Sequence, residues 1–473
     1  MTMTVCTESK IELEDVGRRR FEVDFSAGRV SSDGGGVLLR EADRRLMLSE
    51  RLSSCFTDHR KPWLIDHTVA ELVAQRILGL ALGYEDLNDH EELSKDPLLA
   101  ALVGKADPIG AQRLQSRGQP LASASTLGRL ERTKEDATAA SRYDKIVIDF
   151  DVVEDVFLTV FTESYEGREP ERIVIDLDPS DIALHGGQQD RFFHGYYGHY
   201  CYLPMYAYCG EYPLSVQLRP SNVDGAAGAK ELFERIVTKL RRAWPTTHII
   251  LRADSGFCRD DLLAWCEKTQ GVDYVVGIAK NSRLTKALAK KMKQAHRNFL
   301  RTGEAARCFA DLRYRTLKTW TRSRRVVGKA EHLGKGQNPR FVVTSLAASE
   351  FEKRYLYEEL YCARGEMENR IKEQQLALFG DRASCHTFRG NAIRLWFSMA
   401  AHLLVVTVRK IALVGTELAC AQAQTLRNKI FKIGALVSVS VRRVYVRLSS
   451  AFPNKELLTA ALARFRAPPS AIT

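Results

Sequence analysis

Between Pro170 and Pro179 the chain has room for one strand, and it fills that space with Ile173, Val174, Ile175 and Leu177, interleaved at the end with Asp176 and Asp178. Proline fixes φ and removes a ladder donor, so a β-branched run between two prolines reads as a strand of set length. The chain beyond Pro179 narrows the fold further. Tyr200 to Tyr208 and Tyr212 to Leu218 are aromatic and β-branched runs joined by Cys209-Gly210-Glu211, which is hairpin punctuation. Ala226 to Trp244 carries Leu232, Phe233, Ile236, Val237 and Leu240 at helical steps and stops at Pro245. His248 to Leu251 is a short apolar strand entering Ala253-Asp254-Ser255-Gly256. A helix around Asp260 to Glu267 and a strand at Tyr274 to Ile278 come next. The order βββαβαβ predicts an α/β fold built on a mixed sheet.

A look-alike of the first strand, Ile146 to Asp151, reads differently. Its apolar residues continue as Phe150, Val153, Phe157, Val160 and Phe161, one face of a helix, so 146–170 is expected to be a linking helix with its aspartates on the surface. Residues 1–145 carry helical periodicity at Val69, Leu72, Val73, Arg76, Ile77 and Leu80, interrupted by the turn Ser31 to Gly36, whose glycine run reads as a hinge. Neither that turn nor Asp107 to Gly110 has the lysine-bearing context of a nucleotide loop.

Residues 281–350 are basic and strand-like, with Arg313, Arg315, Lys318, Arg322, Arg324, Arg325 and Lys329 around Trp320. They read as a β-rich insertion dividing an α/β core of 171–280 and 351–415. Phe351 to Leu378 and Asn391 to Val414 are expected helices, and 416–473 is a basic tail.

With 473 residues the chain exceeds one hydrophobic core, and its net charge of +12 favours a polyanionic partner. The ten cysteines show no paired metal-ligand spacing and read as reduced, mostly buried thiols. The N-terminal segment has Glu8, Glu12, Glu14 and Asp15 where an export signal would be basic then apolar. The longest apolar stretch, Ala400 to Val408, falls short of the ~20 residues that a bilayer requires. A cytoplasmic protein without a membrane partner is expected.

Three carboxylates sit where phosphodiester chemistry needs them: Asp178 closing the first strand, Asp254 closing the fourth, and Glu368 on the helix after the insertion. Oxygen ligands suit hard cations, and two of these ~3.5–4 Å apart assist in-line displacement at phosphorus. Asp176 shares a sheet face with Asp178 and is a reserve first ligand. Tyr361, Arg364, Glu368, Lys372 and Gln375 recur at helical steps, placing cations for phosphate beside the acid. The plainer alternative is an i,i+4 ion-pair ladder on a solvated helix. Trp320 is a candidate for stacking on an unpaired base, against a competing place in the core. His185, His194 and His199 read as polar contacts of the hairpin.

The runs Ile175 to Ser180, Gly195 to Pro204, Leu251 to Gly256 and Tyr361 to Lys372 resemble those of bacterial insertion-sequence transposases. The branch is that of insertion sequence 1380 within the insertion sequence 4 group. The likeness extends to Phe25 to Leu39, Gly79 to Asp89 and Arg427 to Gly434. It implies a ribonuclease-H-like catalytic domain and a DNA-binding N-terminal region. It also implies cut-and-paste transposition on two Mg2+ ions, with Mn2+ able to substitute. Terminal inverted repeats and target DNA are the implied substrates, held by a homodimer on paired ends. Asp178, Asp254 and Glu368 carry over as the triad, with Tyr361 and Arg364 from the signature. The group's lysine, seven residues after the glutamate, is Gln375 here, which leaves Lys372 as its substitute. A metal-dependent nuclease of the same fold and a non-catalytic DNA-binding descendant are the alternative functions.

Overall fold

The computed structural model describes residues 10–111, 119–132 and 134–467; Cys6 and Glu8 lie outside them. The chain divides into two compact units. One combines the segment ending at Glu50 with Arg60–Leu130 and the chain from Thr407 onward, and the other combines Arg51–His59 with Glu131–Val406.

The second unit holds the sheet. Its strands are β1 (Arg172–Pro179), β2 (Met205–Cys209), β3 (Tyr212–Gln217), β4 (His248–Ala253), β5 (Val272–Ile278), β6 (Ala306–Tyr314), β7 (Arg324–Leu333) and β8 (Arg340–Thr344). They lie in the order β3-β2-β1-β4-β5-β8-β7-β6, and Gly336–Gln337 pairs off β7 as the ninth strand. β1, β4 and β5 run parallel, and the flanking strands are antiparallel, so the sheet is mixed as expected. Helices α1 (Phe150–Glu163), α2 (Ala229–Ala243), α3 (Asp260–Lys268), α4 (Ser282–Thr302), the helical run α5 (353–377) and α6 (Phe388–Thr407) belong to the same unit, as does a separate three-stranded sheet of Ile182–Ala183, His199–Tyr202 and Phe192–His194, which ends the run expected from Tyr200 to Tyr208 at Tyr202 before β2 begins.

Alternation along the strands decides which residues meet which layer. Odd-numbered Ile173, Ile175 and Leu177 enter a core with Phe233, Ile236 and Leu240 of α2 and Leu284, Leu288 and Met292 of α4. On the opposite face Ile250, Val275, Val327 and Val342 pack against Leu356 and Tyr357 of α5. Even-numbered Asp176, Asp178, Arg252 and Asp254 therefore share the face that α5 covers. Within α5, Lys353–Tyr355 and Gly365–Lys372 are α-helical; Leu356–Tyr361 and Glu373–Ala377 are π-helical turns, and Cys362–Arg364 is a 3₁₀ turn. Phe388–Ala412 is long and apolar enough to cross a bilayer, yet 94% of its most apolar window is buried inside the protein.

Several further expectations need correction. Ile146–Ile148 is a short strand paired with Phe56–Asp58, and α1 begins only at Phe150, because the Asp149 side chain accepts from the Asp151 amide and caps the helix there. Residues 282–302, expected within a β-rich insertion, form the 21-residue helix α4. Trp320 is 3% exposed, lies under the Arg324 guanidinium and meets Tyr314 edge-on, so its face is not open to a base. Another concerns the first unit, where Gly34–Gly36 is a buried 3₁₀ turn rather than a hinge. A Cβ on Gly35 would stand 1.7 Å from the Ile430 carbonyl oxygen, so glycine is required there by close backbone approach. Beside it Asp33 accepts from Lys432 Nζ at 2.6 Å and from the Tyr84 hydroxyl at 2.6 Å.

The first unit departs from the all-helical reading by opening with the hairpin Ile11–Val16 and Arg19–Val23 and by pairing Val30–Ser31 with the tail; its helices include Val69–Leu82, opened by a capping box between Thr68 and Glu71 and closed at Gly83. Its tail forms the hairpin Ala435–Ser440 and Arg443–Leu448, then the helix Lys455–Arg466. The nine described cysteines are free thiols, four of them buried.

A candidate carboxylate site at the sheet rim

The register of the parallel pair places two acids side by side. Ala253 pairs with Leu177, so Asp254 and Asp178 leave their strands at matching positions, one interstrand spacing of about 4.8 Å apart. Asp254 follows the end of β4 and accepts from the Gly256 amide at 2.8 Å, which fixes the turn that carries it. Gly277 on β5 makes room for this arrangement: a Cβ there would lie 2.6 Å from the Tyr361 hydroxyl and 2.9 Å from the Ser255 amide. Tyr361, at the end of the first π turn, thus reaches down to the strand rim beside Asp254.

Arg364 ties the helix to the strand. One guanidinium nitrogen is 3.7 Å from Asp178 and another is 2.7 Å from Glu368, so both carboxylates face a single planar cation. Glu368 is thereby brought to the same rim as Asp178. The i,i+4 ladder forms only at its first rung, since Lys372 is exposed and makes no ion pair with Glu368 among the described residues. Burial pushes the Asp178 carboxyl up to about 7, opposed by Arg364 and reinforced by the charges of Asp254, Glu368 and Asp176. Burial also raises the Tyr361 hydroxyl, with Arg364 opposing.

Asp176, the reserve ligand, is engaged elsewhere. Arg252 grips it with two hydrogen bonds of 2.6 and 2.7 Å, and the same guanidinium donates to the Leu360 carbonyl at 2.7 Å. Arg252 is a residue that the sequence reading misses. The period-two rule that links Asp176 to Asp178 also puts Arg252 two residues before Asp254 on the same face. Gln375 is 8% exposed, donates to the Asp181 carbonyl at 3.1 Å and accepts from Ser180 at 3.3 Å. It ties α5 to the turn after β1. His199, of the three histidines, shares a hydrogen bond of 2.8 Å with Asp181 in the same turn region.

Much of the basic cluster around Trp320 is spent internally. Arg324 pairs with Asp260 and Glu267, Arg325 with Asp311, and Lys329 with Glu331.

The donor set suits a hard divalent cation: three carboxylates on one rim, one of them held toward neutrality by burial and like charge. Among the described residues, no three His, Cys, Asp or Glu side chains close on a single ion as they stand. Arg364 accounts for this, because its guanidinium lies between Asp178 and Glu368.

A mixed sheet that delivers acids from two neighbouring strand ends and a covering helix to one rim defines a class: α/β proteins with an oxygen-rich cation site of the kind used in phosphoryl chemistry. The family model described as Transposase DDE domain group 1 matches residues 13–470, and the chain belongs to that family. It is a transposase, a DNA-cleaving enzyme of DNA transposition, and such enzymes generally use divalent metal ions. No curated protein matches the sequence. The piggyBac transposase synaptic complex with hairpin DNA, solved by cryo-EM, is a similar structure at 9% identity and a TM-score of 0.42, covering 93% of this chain and 83% of that one.

Proposed function

We propose that the chain cuts DNA at the ends of an insertion sequence of the 1380 branch and joins the freed 3′-hydroxyls to target DNA, with Asp178, Asp254 and Glu368 as its catalytic acids. The observation that carries this reading is the convergence of the three on one rim, two through strand register and one through Arg364. The core is read as ribonuclease-H-like, from its three-stranded antiparallel start followed by two parallel strands.

Asp178 would contact both of two Mg2+ ions, with Asp254 and Glu368 each completing one site, and Mn2+ would substitute. When bound, such ions supply charge neutralisation for in-line displacement at phosphorus. The chain's own groups do the rest. Arg364 is placed to turn its guanidinium from the carboxylates to a phosphate oxygen, exchanging one anionic partner for another. Lys372, exposed one turn beyond Glu368, adds a second cation for the same strand, and the Tyr361 hydroxyl donates to a phosphate. The terminal inverted repeats and a target duplex are the substrates. A homodimer holding two ends in the bacterial cytoplasm is the working unit.

The test is a labelled element end incubated with protein, Mg2+ and a target plasmid. Nicking followed by joining to the plasmid is expected, and Asp254→Ala is expected to abolish both while DNA binding persists. Nicking without joining would make the protein a nuclease instead, and an unchanged Asp254→Ala would remove the carboxylates from the chemistry.

A further inference from the structure

The basic cluster around Trp320 is largely paired with acids, whereas α4, where the sequence reads as strand, carries unspent charge. α4 contains seven Lys and Arg residues and no Asp or Glu. Its apolar face, Leu284, Leu288, Met292 and Ala295, is buried against β6 and β7. Lys286, Lys290, Lys293, Arg297 and Arg301 follow one another at steps of four, three, four and four, so they form one stripe on the side away from that core. All five are exposed, and none has an acidic partner among the described residues. Lys290, Lys293 and Arg297 line a hollow together with His296. Arg283, one turn earlier, is by contrast spent on the Tyr314 ring and the Arg315 carbonyl.

A stripe of like charges costs folding energy through self-repulsion, so leaving five unneutralised implies an anionic partner. Its dimensions select the partner. From Lys286 to Arg301 the stripe runs about 22 Å, a length equal to roughly six base-pair steps along a duplex axis. Its position places that DNA on the sheet face opposite the carboxylates: α4 packs with α2 and the odd-numbered strand residues and against β6 and β7, whereas Asp178 and Asp254 lie on the face that α5 covers.

We propose that α4 is a backbone-binding track for duplex DNA, holding phosphates along its exposed face on the side of the sheet away from the carboxylates. The inference rests on the transposase reading only for the identity of the duplex as a transposon end or target. The contacts are to phosphates and carry no base sequence.

The experiment measures fluorescence anisotropy of a labelled duplex against salt for the full chain and for a variant with Lys286→Gln, Lys290→Gln, Lys293→Gln, Arg297→Gln and Arg301→Gln. Glutamine keeps helix propensity, and circular dichroism checks the fold. Each lost phosphate contact removes about 0.9 from the slope of log K against log salt, so a drop of roughly 4 is expected, with affinity falling about a hundredfold at moderate salt. A folded variant with the wild-type slope overturns the track. So does polyglutamate competing as well as DNA at equal charge, which would point to an acidic peptide. Cleavage by the parent chain separates the two readings: if no DNA is ever cut but the slope still depends on α4, the transposase chemistry fails and the track stands. If DNA is cut and the slope does not depend on α4, the reverse holds.

Discussion

Asp176 and Asp178 lie two residues apart on one face, and a pair of substitutions separates their roles. Arg252→Met would strand the Asp176 carboxylate, whose side chain is only 3% exposed, without the guanidinium that now grips both its oxygens. Removing one member of a buried pair costs about 3–5 kcal/mol, because the remaining charge is desolvated and unpaired. Asp176→Leu would strand Arg252, at 9% side-chain exposure, and is expected to cost a similar amount, eased by the Leu360 carbonyl that Arg252 also meets. The double variant Asp176→Leu/Arg252→Met removes both charges at similar volume. It is expected to return to within about 1–3 kcal/mol of the parent, the remainder reflecting the Leu360 carbonyl left without its donor. Hydrogen exchange of the β1 and β4 amides reports the local stability without assuming a single transition for a two-unit chain. Cleavage of an element end is measured in parallel. If Asp176 serves only to anchor β1, β4 and the start of α5, the double variant regains stability and a substantial part of the cleavage together. A double variant as unstable as either single one would refute the pairing argument. One that is stable yet wholly inactive would refute the assignment of Asp176 to structure and return it to the metal ligands.

The geometry sets three further outcomes. Gly35→Ala should destabilise the first unit by several kcal/mol, in the range of severe core overpacking, seen as a lowered melting temperature, because a Cβ there meets the Ile430 carbonyl backbone at 1.7 Å. Gln375→Lys should lower the denaturant midpoint without raising cleavage, since it would bury an amine at an 8% exposed position, whereas Lys372→Gln should reduce cleavage and leave stability unchanged. Burial holds fully enclosed His90 down to about 3, so between that value and its ordinary 6.5 the unfolded chain binds the extra proton. Its contribution is complete above pH 6.5 and is lost as pH falls, on the order of 2 kcal/mol between pH 6.5 and 5, and His90→Leu should flatten that part of the pH–stability curve.

The order of the five main-sheet strands and two helices from Arg172 to Ile278 is legible in the sequence because each signal there is local: prolines bracket β1, a glycine turn joins β2 to β3, and α2 ends at Pro245; the small sheet of Ile182–Ala183, Phe192–His194 and His199–Tyr202 is not, because its strands are too short to show a period. The placement of Asp178 and Asp254 comes from strand ends alone. Helix α4 is not legible, because its buried apolar residues are only Leu284, Leu288, Met292 and Ala295, and a dense cationic run hides a period that is present. Ile146–Ile148 misleads since a helix and a strand share its apolar spacing until the Asp149 cap decides between them. Gly35 and Arg252 are beyond reach for a different reason. Each is set by a partner remote in sequence, and no window along the chain brings Gly35 to Ile430 or Arg252 to Asp176. Trp320 has its partner nearby in Arg324, yet only the packing beneath it shows that its ring is enclosed.

The π turn at Glu373–Ala377 begins one residue after Lys372. Counting in threes and fours holds along the α-helical stretch and then slips, so that a position seven beyond Glu368 no longer looks where Glu368 looks. Up to Lys372 the rod carries the side chains proposed to meet a substrate; past the slip it presents amides inward, and Gln375 fastens it to the loop behind Asp178. One rod thereby has two faces in succession, and deleting a single residue at the slip would bring Leu376 to the berth of Gln375 and undo the fastening.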